Sequence, residues 1–323
     1  MNWPVLGAGH DRSLRLSVTD RCNLRCRYCM PEHREALARD HGLPSLERLT
    51  VVARWLVEHA GVHRIRLTGG EPLVRSDLPA MVAALNRMPG VEEISLTSNG
   101  ALLEHLALPL RDAGLARVNV SLDTLDPHRF AVLTRGGRLA DTVRGIHAAL
   151  AAGLRPLKLN TVLRRSSWIE DLPTLIDFAA REGLELRLIE LMETAADPTW
   201  TRSEQIPMQE VRTWLEQGAT LMPLPTRHTA PARRHVLRWD DRELAIGFIS
   251  PRSAPFCGHC NRLRVDMHGR LHRCLMDTAA LPLLDLIEAG DDATTTRSVE
   301  AYLAGKSAPV AMASSRAMHA IGG

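Results

Sequence analysis

The chain has 323 residues, of which 45% are hydrophobic and 24% are charged, a composition typical of a globular protein of about two domains. Its 40 lysines and arginines nearly balance 37 acidic residues, and a net charge of +3 gives no reason to expect nucleic acid or a membrane as a partner. No apolar run is long enough to cross a membrane, and residues 1–12 lack the apolar segment of a secretory signal, which predicts a cytoplasmic protein.

Six short β-rich segments alternate with helix-period segments up to about residue 191. The predicted strands are residues 14–18, 64–67, 94–97, 117–122, 157–162 and 186–189. A helical pattern between the first two strands starts at Thr50 and stops at Gly61, and another ends in the same way at Gly153. Strand–helix alternation of this kind predicts parallel strands joined by right-handed crossovers.

The predicted strands alternate apolar and polar residues, although parallel strands covered on both faces usually read as continuous apolar runs. Their polar faces carry four cations: Arg15, Arg66, Lys158 and Arg187. Burying an unpaired cation costs several kcal/mol, and four of them would rival a total stability of about 5–15 kcal/mol. We therefore expect a wet interior that receives a polar, anionic ligand. The alternative is an open antiparallel sheet with one solvated face.

The pattern changes after about residue 205. A helix is predicted over residues 207–217, a Pro- and Arg-rich stretch over 222–234, and a hairpin with strands at 236–239 and 243–249. The last thirty-odd residues are small and polar with weak periodicity, and the chain ends in Gly322-Gly323. We predict two domains, residues 1–220 and residues 221–323, the second with a flexible tail.

All six cysteines fall into two groups of three. Cys22, Cys26 and Cys29 form C-x3-C-x2-C after the first strand, and Cys257, Cys260 and Cys274 form C-x2-C-x13-C. Close groups of this kind predict metal ligands rather than disulfides, and thiolates suit zinc or iron–sulfur clusters. Closed structural sites usually have four protein ligands, so each triad predicts a metal centre with one open position. A zinc knuckle remains the alternative for the first triad, and His259 as a fourth ligand remains one for the second.

The motifs resemble those of a known enzyme family. The spacing of the first triad, with Tyr28 beside its last cysteine, is the signature of the radical S-adenosylmethionine (SAM) superfamily, and Thr68-Gly69-Gly70-Glu71-Pro72 is similar to its segment that holds the methionine end of SAM. Residues 14–22, 64–72, 97–100, 120–123, 186–192 and 256–264 then follow the order of motifs in the MoaA family of GTP 3′,8-cyclases. The resemblance covers nearly the whole chain.

This resemblance implies an α/β fold, an incomplete (β/α)6 TIM-like barrel of the radical SAM type with a C-terminal α+β domain that binds a cluster. It implies a lyase of molybdenum cofactor biosynthesis that converts GTP to 3′,8-cyclo-7,8-dihydro-GTP through a 5′-deoxyadenosyl radical. The implied cofactors are SAM and two [4Fe–4S] clusters, one on each cysteine triad. The implied SAM contacts are Tyr28, Gly70, Ser121 and Met192, and the implied GTP contacts are Arg15, Arg66, Thr97, Lys158, Arg187, Arg262 and Arg264.

The resemblance also implies partners. These are a reductant such as flavodoxin or ferredoxin and a downstream enzyme of the MoaC type, while a homodimer is left open. Relatives are thought to insert their C-terminal tail into the active site, which gives Gly322-Gly323 a candidate role. Two other functions remain open: a radical SAM paralogue that modifies a peptide, and an iron–sulfur or zinc protein that only binds a nucleotide or a partner.

Overall fold

The structure is a computed structural model that describes residues 6, 11–31, 45–193, 196–307 and 318. Six parallel strands lie side by side in chain order: β1 (Arg12–Ser17), β2 (Val62–Thr68), β3 (Glu93–Ser98), β4 (Arg117–Ser121), β5 (Lys158–Leu163) and β6 (Glu185–Glu190). All six predicted strands are confirmed to within two residues at either end. Because every neighbouring pair in this series is parallel, the alternative of an antiparallel sheet is wrong.

Helices connect these strands: α1 (Leu46–Ala60), α2 (Leu78–Asn86), α3 (Leu103–Asp112), α4 (Pro127–Thr134), α5 (Leu139–Ala151) and α6 (Trp168–Glu182). The helix predicted from Thr50 begins earlier, because the Ser45 side chain caps its first turn by accepting a hydrogen bond from the backbone N–H of Arg48. It stops as predicted at Gly61, whose φ of 62° suits glycine.

One continuous apolar core joins the strands to these helices. Leu14 and Leu16 of β1 and Leu67 of β2 are fully buried, as are Leu56 and Met81 of the covering helices. The intervening polar residues lie on the opposite face of each strand, and in the sheet register Arg15 is the direct neighbour of Arg66. The predicted alternation therefore places these polar side chains in the interior of the barrel.

The C-terminal part extends the sheet at both of its edges. After α7 (Pro198–Ser203) and α8 (Met208–Glu216) come β7 (Ala219–Pro223), β8 (Arg233–Trp239), β9 (Arg242–Ile249), β10 (Arg262–Val265) and β11 (Leu271–His272). β9 pairs in parallel with β6, and β10 pairs in parallel with β1. The predicted fold class, an incomplete barrel with a C-terminal α+β part, is confirmed. The division after residue 220 stays a prediction.

A helix forms after residue 290, in a stretch where the sequence shows only weak periodicity. Following α9 (Leu283–Glu288), α10 (Asp292–Ala304) is capped by Asp291, which accepts from the backbone N–H groups of Ala293 and Thr294. Val299 and Leu303 are buried against the core, so packing stabilises a helix whose periodicity is weak in the sequence. Gly322-Gly323 lies outside the described residues. None of the helices described is long and apolar enough for a membrane span.

Candidate active site

The first cysteine triad lies in the loop that follows β1, at the carboxyl ends of the parallel strands. This loop is bonded to the segment after β2: the Gly70 N–H donates to the Thr19 carbonyl at 2.8 Å and the Glu71 N–H to the Arg21 carbonyl at 2.7 Å. A Cβ on Gly70 would collide with the carbonyl oxygens of Arg21 and Asp20, so this approach requires glycine. The triad loop and the glycine segment therefore form one structural unit.

Glu71 links the ends of β2 and β3. Its carboxylate accepts hydrogen bonds from the Ser98 hydroxyl at 2.8 Å and from the backbone N–H groups of Leu73 and Asn99 at 3.0 and 2.7 Å. Burial raises the pKa of Glu71 to about 7, against the opposing effect of these bonds. The Asn99 amide donates to the Asn23 side chain at 2.8 Å, so Glu71 positions a contact to the triad loop.

Tyr28 is held by an acidic partner from another strand. Its side chain is buried, and its hydroxyl donates to Asp123 at 2.8 Å. The other carboxylate oxygen of Asp123 accepts the backbone N–H of Val162 in β5 at 2.8 Å. Burial raises the pKa of Asp123. Because Ser121 ends β4 two residues earlier, the same strand end carries two polar groups near the triad loop.

The three cysteines of the first triad are partly buried and are not joined by disulfides. Burial raises the pKa of Cys22 to about 11, and burial with the neighbouring Cys29 thiol raises that of Cys26 well above its usual value. Such thiols become thiolates when a metal centre supplies positive charge. In the part of the chain that the structure describes, no three His, Cys, Asp or Glu side chains converge tightly enough for one metal ion. Three cysteine ligands with no fourth cysteine fit an iron–sulfur cluster that keeps one iron open.

The second triad lies beside β10 and β11. Cys257 and Cys260 belong to the turn before β10, and Cys274 follows β11. Burial favours a high pKa for Cys260, but Arg262, whose Nε donates to its sulfur at 3.4 Å, and Lys306 together lower that pKa to about 6. Because thiolate is the form that binds iron, the surroundings of this triad fit a cluster.

A cavity of about 100 Å³ opens at the second triad. Besides the three cysteines, its lining includes Met192, Phe256, Arg262, Arg264 and Lys306. The alternative that His259 closes this centre gains no support, because its ring lies against that of His228, with centroids 3.6 Å apart.

A larger cavity, of about 350 Å³, lies at the amino ends of the central strands and is bordered by the loop between β7 and β8. Nine cationic side chains line it against one acidic side chain, Glu93; the cations are Arg15, Arg64, Arg66, Arg117, Lys158, Arg187, Arg227, Arg234 and Arg262. We call it the basic cavity. Its place in the fold is unusual, because barrel and open α/β folds generally bind ligands at the carboxyl ends of the strands.

Two carboxylates hold part of this charge in place. Glu93 accepts from Arg117 at 2.6 and 3.1 Å. Glu185 accepts from three cations at distances of 2.8 to 3.3 Å: Arg187, Arg234 and Lys158. These pairs orient four cations and leave the lining strongly positive.

The excess of positive charge in the basic cavity affects the pKa values of two of its arginines. Burial, reinforced by the charges of Arg117 and Arg187, lowers the pKa of Arg66 to about 9. Burial and the charge of Arg264 lower the pKa of Arg15 well below its usual value. Since an uncompensated buried cation is costly, this interior is stabilised when a polyanion enters it.

Two asparagine side chains on the polar face of the sheet each have one buried atom that makes no hydrogen bond among the described residues. Among the described residues, Asn119 Nδ2 and Asn160 Oδ1 are buried without a hydrogen-bond partner. Buried polar atoms are nearly always paired, so such atoms mark places where a bound molecule or water completes the site. The barrel interior thus offers donors and acceptors as well as charge.

The structure brings most of the predicted GTP contacts together. Five line the basic cavity: Arg15, Arg66, Lys158, Arg187 and Arg262. Arg264 lines the cavity of the second triad, and Arg262 lines both cavities. Thr97 belongs to neither lining, whereas Met192, predicted beside SAM, lines the cavity of the second triad.

Several site residues were not among the predicted contacts. Arg64, Arg117 and Glu185 share the inward side of their strands with predicted residues, so strand alternation alone could have revealed them. Arg227 and Lys306 lie outside the strands, where no periodic signal exists to find them.

Comparisons with known proteins agree with this site. Two family models match, the radical SAM superfamily over residues 16–179 and Molybdenum Cofactor Synthesis C over residues 184–311. A GTP 3′,8-cyclase from Rhodopirellula baltica is 39% identical over 326 residues, which cover 98% of this chain and 90% of that protein. The chain belongs to the GTP 3′,8-cyclase family. A second member, GTP 3′,8-cyclase 1 from Pseudomonas aeruginosa, is 44% identical over 274 residues, covering 85% of this chain and 82% of that protein.

A solved structure shows the same fold at low sequence identity. SuiB from Streptococcus suis, in a crystal structure bound to S-adenosylmethionine, superposes with a TM-score of 0.62 at 14% sequence identity. The match covers 87% of this chain but only 66% of SuiB, just under two thirds of its length. At this identity the likeness shows the fold alone.

Proposed function

We propose that this member of the GTP 3′,8-cyclase family converts GTP to 3′,8-cyclo-7,8-dihydro-GTP in molybdenum cofactor biosynthesis. One observation carries the proposal: a barrel with two three-cysteine sites also holds a cavity lined by nine cations. A nucleoside triphosphate carries several negative charges at one end, and arginine binds phosphate oxygens with two parallel hydrogen bonds. The cavity therefore matches the phosphate end of GTP.

The basic cavity is proposed to position the substrate. The proposed GTP contacts are Arg15, Arg66, Thr97, Lys158, Arg187, Arg262 and Arg264. Because Arg262 lines both cavities, a nucleotide whose phosphates fill the basic cavity directs its base toward the second triad. Holding the ribose in one place is a large part of the catalytic task, since a correctly placed reactant needs no further ordering in the reaction.

The first triad is proposed to hold a [4Fe–4S] cluster that binds SAM. The proposed SAM contacts are Tyr28, Gly70, Ser121 and Met192, with the second cluster on Cys257, Cys260 and Cys274. When bound, SAM and its cluster would supply radical chemistry directed at the ribose of GTP. The absence of a side chain at Gly70 lets the triad loop pack against the segment after β2, and the Tyr28–Asp123 bond fixes the aromatic ring of Tyr28.

The proposal extends to partners and compartment. A reductant such as flavodoxin or ferredoxin supplies the electron, and a MoaC-type enzyme consumes the product. Six cysteines outside disulfides and two proposed clusters favour a reducing cytoplasm. A homodimer belongs to the same proposal, and the described residues neither require nor oppose one.

The decisive experiment is SAM cleavage by the anaerobically reconstituted protein, with and without GTP. We expect about four iron atoms per triad and 5′-deoxyadenosine that forms only when GTP is present. Cleavage that is indifferent to GTP would favour a peptide-modifying radical SAM enzyme. No cleavage by a fully loaded protein would leave a protein that only binds, and would refute the proposal.

A further inference from the structure

Only two lysines occur in this chain, among 40 lysines and arginines in total, and they are Lys158 and Lys306. Lys158 lines the basic cavity, and its side chain is 12% exposed. Lys306 lines the cavity of the second triad and is 8% exposed. A chain that otherwise uses arginine keeps lysine at two positions of low exposure, each lining one of the two cavities.

The surroundings of Lys306 connect it to the cysteine ligands. Its ammonium donates to the carbonyl of Arg273, the residue before Cys274. It lines the same cavity as Cys260 and Cys274, which brings its positive charge to the side of the second triad. An ammonium is a compact point charge, so a cation held at the Arg273 carbonyl also acts on the thiols that line the same cavity.

The fold delivers Lys306 to this place through α10. The first turn of this helix is tied to the barrel, where the Trp55 indole N–H donates to Asp292 at 3.0 Å. Its last turn is followed directly by Gly305, where a Cβ would collide with the Arg273 guanidinium. The helix that the sequence did not reveal therefore ends by placing a buried cation against the second triad.

We propose that Lys306 is a positioning residue of the second cluster, one that holds its thiolates and compensates its negative charge. This inference rests on the proposed function, since it requires a cluster on Cys257, Cys260 and Cys274. A fixed positive charge at short range in a buried site favours the more negative, reduced form of the cluster. Lys306 thus sets the reduction potential of the second cluster and keeps it loaded.

The test compares K306M, K306R and the wild type as full-length, anaerobically reconstituted proteins. Iron content and the reduction potential of the second cluster are measured by spectroelectrochemistry, with Cys22, Cys26 and Cys29 replaced by alanine in a parallel set that isolates this cluster. We expect K306M to lower the potential by about 59 mV or more, a tenfold change for a one-electron couple. K306R keeps the charge and should stay closer to the wild type. K158M, which removes the other lysine, should leave this potential unchanged.

The outcomes separate the inference from the proposed function. If the wild type holds no second cluster, the proposed function fails and the inference fails with it. If the wild type is loaded but K306M keeps full iron and the wild-type potential, only the inference is overturned. Loss of the cluster in K306M but not in K306R would support it. Equal loss of the second cluster in both variants, with the same lowering of melting temperature, would show that Lys306 only stabilises the fold. That result would overturn the inference.

Discussion

The ammonium group of Lys158 loses its proton at a pH only slightly above neutral. Burial, together with the charge of Arg187, lowers the pKa of its ammonium to about 8, although Glu185 acts in the opposite direction. Below that pH the charge is present for phosphate, and above it the charge is lost. We predict that kcat/KM for GTP falls above about pH 8, where the free enzyme loses this proton. Measured in K158R, whose guanidinium stays charged, the profile should lack this limb.

The same shift has a consequence for stability. An unfolded lysine titrates near pH 10.4, so between about pH 8 and that value the unfolded chain binds more protons than the folded one. The contribution of Lys158 to the free energy of unfolding therefore increases with pH across this window in the absence of GTP.

The kinetic prediction has its own contradicting outcome. A decline of kcat/KM above about pH 8 that is identical in K158R would assign that decline to another group.

Tyr28 offers a second residue-scale test, because the chain contains only one other tyrosine. Removing the hydroxyl in Y28F breaks the bond to Asp123 and leaves a buried carboxylate oxygen short of a donor. We expect SAM binding to weaken about five-fold, corresponding to about 1 kcal/mol. The matched control is Y302F. It removes from α10 the Tyr302 hydroxyl, which donates to the Ala279 carbonyl at 3.0 Å. SAM dissociation constants that change equally in both variants would contradict the assigned role of Tyr28.

At the scale of elements, the approach of the glycine segment to the triad loop is the most sensitive contact. In G70A the new methyl group meets the backbone oxygens of Arg21 and Asp20, which no side-chain movement can relieve. We predict loss of about 2 kcal/mol or more of stability and of the first cluster. G218A is the control, because a Cβ at Gly218 has open space around it. Retention of wild-type iron and melting temperature in G70A would show that the loop shifts freely.

The elements also show how much of the fold and of the candidate site could be predicted from the sequence. Strand alternation placed Arg15, Arg66, Lys158 and Arg187 inside the barrel, and the structure brings all four to one cavity. The carboxyl-end rule placed the first triad correctly, but the basic cavity lies at the amino ends, because the C-terminal part covers that side. Neither the loop carrying Arg227 nor α10 has a periodic pattern, since tertiary contacts decide their conformation.

At the scale of the whole molecule, the C-terminal part supplies partners for both edges of the central sheet. β9 pairs with β6 and β10 with β1, each through four residue pairs. We predict that a fragment of residues 1–220 aggregates, since both edges would be left unpaired, whereas the full chain unfolds in one transition. Calorimetry of the full chain and solubility of the fragment check this. A soluble fragment with native circular dichroism would show an independent barrel.

The central claim is that this barrel holds the ribose of GTP beside the first triad while the cations of the basic cavity bind its phosphates. The most direct measurement supplies GTP deuterated at C3′ to the anaerobically reconstituted enzyme and follows the 5′-deoxyadenosine formed by mass spectrometry. We predict that one deuterium appears in the 5′-deoxyadenosine and that none appears when GTP is labelled only at other ribose carbons. Unlabelled 5′-deoxyadenosine from the C3′-labelled substrate would contradict the account.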